Sequence, residues 1–295
     1  PRSRADGRVN YHVDGGVVPA AEATVPGDAR GFRYGDRAVE PVRVHGGAPL
    51  AWDAHADRIA TSCDRLSIPC PDDLRARVDD LVASGVGEAL LSVSVTRGSG
   101  PGLTPADADP RVVIRTTGRE RAGVVGSPPW DAAATLQTVK TRRVPDRSVP
   151  ADARTGARID AVLARAELHD ADEALILDDK GDVSGGADTT LLFVDDDALH
   201  TPSLDGSVEP RVARSLTLAL AESEGVPVVE GSYAPADVRD ATEAVLATAD
   251  GIRPVATVDG IDLPGGPVAP LLSALYDRHV EARCHGGETD PLADG

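Results

Sequence analysis

The sequence predicts an α+β protein built in two halves. Three observations carry this. Runs of strand period come in groups, helical segments are inserted singly between them, and the composition breaks once, at 118–130 (GRERAGVVGSPPW). The regular β–α–β alternation of a doubly wound sheet is missing. A length of 295 residues suits two domains of about 100–200 residues each. The predicted division is a smaller N-terminal α+β domain over 1–120 and a larger C-terminal α+β domain over 121–284. An acidic tail over 285–295 has little apolar content and is expected to be disordered.

The first half opens on strands. YHVDGGVV (11–18) carries a DGG turn inside a β-rich run, a hairpin signal. RAVEPVRVHGGAPLAW (37–52) repeats the pattern with HGG (45–47) as its turn. Residues 52–66 then change to helical period, with Trp52, His55, Ile59 and Leu66 near one face. PDDLRARVDDLVASG (71–85) predicts a second helix, with Asp72 and Asp73 in its first turn and Gly85 past its end. EALLSVSVTRG (88–98) and RVVIRTT (111–117) are strands flanking a loop at 99–110.

In the second half, ATLQTVKTRRV (134–144) is a strand. ARIDAVLARAELHDA (157–171) is a helix with Ile159, Val162, Leu163 and Ala166 on one face. EALILDDKGDVSGG (173–186) is strand, turn and strand, and LLFVDDDALHTP (191–202) is a hairpin turning at DDD. A helix is predicted over 211–225. A short helix leads into a strand over 235–248, a strand and hairpin follow over 251–263, and a terminal helix spans 266–283.

Composition narrows the function. Acidic residues outnumber basic ones 48 to 30, giving a formal charge of −18. That excludes a generic nucleic-acid binder, which needs clustered Lys and Arg against phosphate. No run approaches the ~20 apolar residues of a membrane helix. The first ten residues carry no apolar segment, so a cytoplasmic protein without a secretory signal is expected. Only Lys140 and Lys180 are lysines, and aromatics make up 3%. High Asp and Glu with almost no Lys suits concentrated salt, where the Debye length falls to ~3 Å at 1 M and self-repulsion is screened. The composition is of haloarchaeal type. Cys63, Cys70 and Cys284 form no CxxC pair and are expected as reduced thiols. His55 lies eight residues before Cys63, which is no ligand spacing, so no metal is expected.

Eight blocks, in order, resemble the class IV aminotransferases, the fold-type IV pyridoxal-phosphate enzymes. They are DGGVVPAAEATV (14–25), RGFRYGDRAVEPVR (30–43), HADRI (55–59), VTRG (95–98), ADEALILDDKGDVSGG (171–186), ALHTP (198–202), RVARS (211–215) and RPVATVDG (253–260). The resemblance implies the two-domain fold of the D-amino-acid aminotransferase type, a pyridoxal-phosphate cofactor, a small carboxylate substrate and a homodimer. The segment 153–168, with Arg158 and Asp160, looks most like aminodeoxychorismate lyase, which makes 4-aminobenzoate and pyruvate. Branched-chain or D-amino-acid aminotransferase, and a catalytically inactive binding homologue, stay open beside it.

The family's site residues map unevenly. By resemblance, Arg154 occupies the position of the Schiff-base lysine. A guanidinium stays protonated, so it offers no free amine to an aldehyde. Gly185 stands where a Glu would pair with the pyridinium nitrogen, and Arg158 where a Tyr would steady the ring oxygen. The phosphate turn reads Arg211-Val212-Ala213, placing Val212 and Ala213 there without the usual Thr. Thr248 is the match for a second phosphate contact, and Arg58 for the phosphate arginine. Tyr34, Arg43 and Arg97 fall at substrate-binding positions. Lys140, in a strand, is the candidate to replace the missing amine. Lys180 reads as a solvated turn tip, and His55 and His200 as framework residues.

Overall fold

The computed structural model describes residues 9–105, 109–121, 130–287 and 290–292. They form two compact units. The first draws on Pro1–Arg121 and Asp152–Ala157, the second on Ala122–Ala151 and Arg158–Gly295. Most of the compositional break lies at 122–129, outside the described residues.

In the first unit, β1 (Asn10–Val13) and β2 (Gly16–Pro19) form the first hairpin. Asp14 and Gly15 between them take φ of 50° and 112°, the handedness a two-residue hairpin turn requires. Helix α1 (Arg30–Arg33) precedes β3 (Arg37–His45) and β4 (Ala48–Pro49), joined at Gly46-Gly47. Helices α2 (Trp52–Arg65) and α3 (Leu74–Ala83) follow, then β5 (Ala89–Thr96) and β6 (Arg111–Gly118). The antiparallel sheet runs β2-β1-β6-β5-β3-β4. Strand alternation sends Val42, Leu91, Val93, Val95, Val112 and Ile114 into one core with Ile59 and Cys63 of α2 and Val78 and Leu81 of α3.

Two features fix the local frame of this unit. First, the stretch 154–156 pairs with the free side of β3. Val39 N donates to Arg154 O at 2.9 Å and Gly156 N to Arg37 O at 2.9 Å. Second, the Asp36 carboxylate holds two guanidiniums, Arg30 Nε at 2.7 Å and Arg97 Nε at 2.9 Å. Arg30 continues to the carbonyls of Gly102 and Leu103. Arg97 continues to those of Ser67 and Leu66, at the end of α2. One anion thus ties α1, the end of β5 and the end of α2.

The second unit begins with β7 (Ala134–Arg142), α4 (Ile159–Ala166), β8 (Glu173–Leu177) and β9 (Val183–Gly186). Then come β10 (Thr190–Asp195), β11 (Ala198–Pro202), α5 (Val212–Ser223), β12 (Val228–Gly231) and α6 (Pro235–Arg239). Last are β13 (Glu243–Thr248), β14 (Gly251–Val258), β15 (Ile261–Asp262) and α7 (Val268–Cys284). The sheet runs β12-β11-β10-β13-β14-β7-β8-β9, with β15 added to β14. The pairs β11–β12, β14–β7 and β7–β8 are parallel. Parallel neighbours need a crossover, and α5 and α4 lie on two of these connections. β8 is buried on both faces. Ala174 and Ile176 meet α4, while Leu175 and Leu177 join Phe193 and Leu246.

Three differences from the sequence reading have physical causes. Helix α4 spans eight residues rather than the whole of 157–171, and its apolar stripe faces outward. Ile159, Val162 and Leu163 are 62%, 61% and 51% exposed. Its inward contacts are Ala161 and Ala164, small enough to let the helix lie close on β8. Helix α1 and strand β12 were not expected, being four residues each with no period to read. Within the expected tail, Asp290 Oδ1 lies 2.8 Å from His279 Nδ1 of α7. No helix among the described residues is long and apolar enough to cross a membrane.

Leu91, fully buried on β5, should cost about 2–5 kcal/mol when cut to Ala, measured by denaturant unfolding. A loss below 1 kcal/mol would contradict this core assignment. For Asp36, burial pushes the carboxyl up, but the bonds from Arg97 and Arg30 outweigh it and hold it below the usual range. Its contribution is therefore full above an ordinary Asp pKa near 4 and fades as pH falls through the depressed value. Asp36→Asn should cost about 3 kcal/mol at pH 7. The gap to wild type should narrow at pH 3, and a gap independent of pH would contradict the pairing.

Candidate functional site

In the first unit the residues singled out by sequence divide into two kinds. Tyr34 closes α1, and the guanidiniums of Arg30 and Arg33 lie 5.3 and 4.9 Å from its ring centre. Arg43 is 2% exposed and donates to the carbonyls of Val44, Ala89 and Glu120 and to the Glu88 carboxylate. Arg97 is held by Asp36 and two carbonyls. Both arginines are thus engaged by the unit's own acceptors.

Arg58 is placed differently. Its side chain is 12% exposed, and its nearest carboxylate oxygen, Glu40 Oε2, is 3.9 Å from Nε. Nε and Nη2 have no hydrogen-bond partner among the described residues. The other Glu40 oxygen lies 2.8 Å from His55 Nδ1. Ser62 joins this group to Arg154. Its Oγ donates to Arg58 O at 2.8 Å and accepts from Arg154 N at 3.1 Å. Arg154 itself is 6% exposed.

Sequence reasoning missed Arg37. It alternates with buried Ala38 and so reads as surface. In the structure its Nε is buried without a hydrogen-bond partner among the described residues. Burial, then the neighbouring Arg115, lower its guanidinium pKa. The side chain lies over Gly156, where a Cβ would sit 2.3 Å from Arg37 Nε. The signal that could have found it is that glycine, which leaves room for the Arg37 stem. Arg37 thus lies over Gly156, and Ser62 ties the α2 turn that carries Arg58 to the backbone of Arg154, while Arg43 is tied up at the far end of β3.

The second unit has its own polar cleft, lined by Arg143, Ser184, Gly185, Gly186, Glu209 and Arg211 among others. Its guanidiniums, and that of Arg158 beside them, are matched by carboxylates. Arg158 donates to Glu209 at 3.1 Å and to Ala187 O at 2.8 Å, and lies 3.4 Å from Asp188. Arg211 donates to Glu209 at 2.8 Å and Asp188 at 3.1 Å. Arg143 donates to Asp160 at 3.2 Å and Gly186 O at 2.7 Å. Gly185 takes φ +111°, a conformation L side chains rarely adopt, and a Cβ there would lie 3.4 Å from Thr189 O. Val212 and Ala213 open α5. Thr248 closes the β13–β14 turn, donating to Gly251 O and accepting from Asp250 N. None of these three lines the cleft.

The amines are elsewhere. The first unit contains no lysine. Lys140 is exposed on β7, its backbone N–H donating to Glu167, and Lys180 is exposed in the β8–β9 turn. Neither lines the cleft of the second unit. A covalently held pyridoxal phosphate needs a lysine amine and a carboxylate for its ring nitrogen. No lysine lines that cleft, so its donors, Glu209 among guanidiniums, do not fit a covalently held group.

Comparison with known proteins places the chain. Residues 37–258 match the family model for amino-transferase class IV. The chain is 26% identical over 287 residues to a D-alanine aminotransferase of Listeria monocytogenes, covering 92% of this chain and 94% of that one. It is 27% identical over 245 residues to the aminodeoxychorismate lyase of Vibrio harveyi, covering 81% and 88%. Among solved structures it is similar to 4-amino-4-deoxychorismate lyase from Pseudomonas aeruginosa, with TM-score 0.77, 28% identity, and 92% and 98% coverage. In fold it also matches the branched-chain aminotransferase of Thermoproteus uzoniensis, with TM-score 0.84, 23% identity, and 94% and 96% coverage. The α+β fold with its two sheets is that of the fold-type IV enzymes, which use pyridoxal phosphate, and the chain belongs to the class IV aminotransferase family.

Proposed function

We propose that this chain keeps the class IV fold as a binder of small carboxylates, most like the aminodeoxychorismate lyases, and forms no Schiff base with pyridoxal phosphate. The observation that carries this is the chemistry at Arg154. On our reading it stands at the Schiff-base position, in a unit without a single lysine. A guanidinium at neutral pH holds its proton and cannot attack an aldehyde.

The backbone at Gly185 supports the same reading. A Glu there would be forced to positive φ, so this point of β9 is built for the glycine it has. The cleft guanidiniums Arg143 and Arg211, and Arg158 beside them, are already matched by Asp160, Asp188 and Glu209. Anion binding is instead supported in the first unit. Arg58 and Arg37 hold buried N–H groups with no acceptor, which a carboxylate would satisfy as charge-assisted hydrogen bonds.

Two further properties belong to this proposal. A homodimer is supported by the family and by the exposed apolar stripe of α4, which a second copy would cover. Work in a salt-rich cytoplasm is supported by the charge of −18 and the two lysines. Its melting temperature should then fall from molar to millimolar KCl, and unchanged melting would count against it.

An absorbance spectrum with added pyridoxal phosphate at high salt tests the chemistry. No visible band should survive borohydride and gel filtration, whereas a band reduced onto the protein would overturn the reading. Adding 4-aminobenzoate or pyruvate at constant ionic strength should raise the melting temperature, and Arg58→Gln should abolish the rise. An equal rise in both proteins would remove Arg58 from the site. Gly185→Glu should cost about 1–2 kcal/mol from backbone strain alone. A Glu variant as stable as wild type would show that β9 tolerates the family residue.

A further inference from the structure

A pair of thiols in the first unit takes no part in the proposed ligand site. Cys63 lies in the last turn of α2 and is 1% exposed. Cys70 follows after a reversal of the chain and is part-exposed. The reversal is well defined. Ser67 takes φ 52°, its N–H donates to Asp64 O at 2.9 Å, and Ile68 N donates to Cys63 O at 2.8 Å. It returns Cys70 to the apolar cluster that contains Cys63. The two thiols act on one another there.

The two sulfurs differ in their surroundings. The Cys63 thiol lowers the Cys70 pKa against the effect of burial. The Cys70 thiol, reinforced by burial, raises Cys63. Cys70 is the more accessible sulfur, the one an oxidant in solution reaches first, and Cys63 is its buried neighbour.

We propose that Cys63 and Cys70 are a redox pair, closed to a disulfide by a hydroperoxide. The Cys70 thiolate attacks one peroxide oxygen. The O–O bond breaks, an alcohol or water leaves with a proton, and Cys70 becomes a sulfenic acid. Cys63 then attacks that sulfur, its proton leaves with the sulfenic oxygen as water, and the S–S bond forms. Two thiols lose two electrons and the peroxide gains them. The disulfide closes a loop containing Leu66 and Ser67, whose carbonyls hold the Arg97 guanidinium. Oxidation therefore staples the seat of a residue at a predicted substrate position.

The test uses the whole chain at high KCl with a slight excess of hydrogen peroxide. Titration in denaturant should find the three thiols reduced to one, and dithiothreitol should restore them. Trypsin cuts after Arg65, so the peptides 59–65 and 66–75 should remain linked through sulfur. In Cys63→Ser, Cys70 should stop at the sulfenic acid and be trapped by dimedone. A wild-type protein in which Cys63 stays a thiol while Cys70 is unreacted or over-oxidised would overturn the proposal. So would a Cys63→Ser protein that gives no trapped adduct.

Discussion

Two backbone hydrogen bonds between 154–156 and β3 set the constraint on which the candidate site depends. They carry a short segment, distant in sequence, onto the edge of the first sheet and fix the place of Arg154. Gly156 can then only be glycine while Arg37 lies across it. Ser62 joins the same segment to the turn of α2 that presents Arg58. Arg154 therefore sits in a rigid frame with satisfied backbone groups. On the proposed reading, the frame is kept while the side chain at the Schiff-base position is an arginine.

Electrostatics separates structural arginines from those able to bind. A buried guanidinium is costly unless charge and hydrogen bonds compensate it. Arg30 and Arg97 are compensated by Asp36, Arg43 by Glu88 and three carbonyls, and the cleft arginines of the second unit by three carboxylates. Arg37 and Arg58 differ in making no guanidinium hydrogen bond among the described residues. A small carboxylate supplies the missing partner without a new cation or an amine. On the proposed reading, these arginines would let a strongly acidic chain hold an acidic ligand, because the local charge and the net charge have different signs.

Much of the fold was legible because its signals are local. Paired residues of positive φ mark the turns at 14–15 and 46–47, and the period change at Trp52 marks α2. Family blocks extended this to the whole architecture. What stayed hidden depends on partners far away in sequence. Asp36 gives no hint that two arginines converge on it, and Arg37 reads as an ordinary strand-edge charge. The stripe on α4 has a core-like period, yet alanines on the other side make the contact with β8. At the site, the resemblance suggested which residue types differ from the family's. It could not show that Gly185 had taken a backbone conformation suited to its own lack of a side chain, or that Arg158 and Arg211 had already found carboxylates.

The central claim is that this member of the family holds no covalent pyridoxal phosphate. Intact-protein mass spectrometry after incubation with pyridoxal phosphate and borohydride, followed by peptide mapping, tests it most directly. The account predicts an unmodified mass for the folded protein at high salt, with only sub-stoichiometric labelling of exposed amines. A stoichiometric phosphopyridoxyl adduct on Lys140 would contradict it and return the chain to the enzymes of its family.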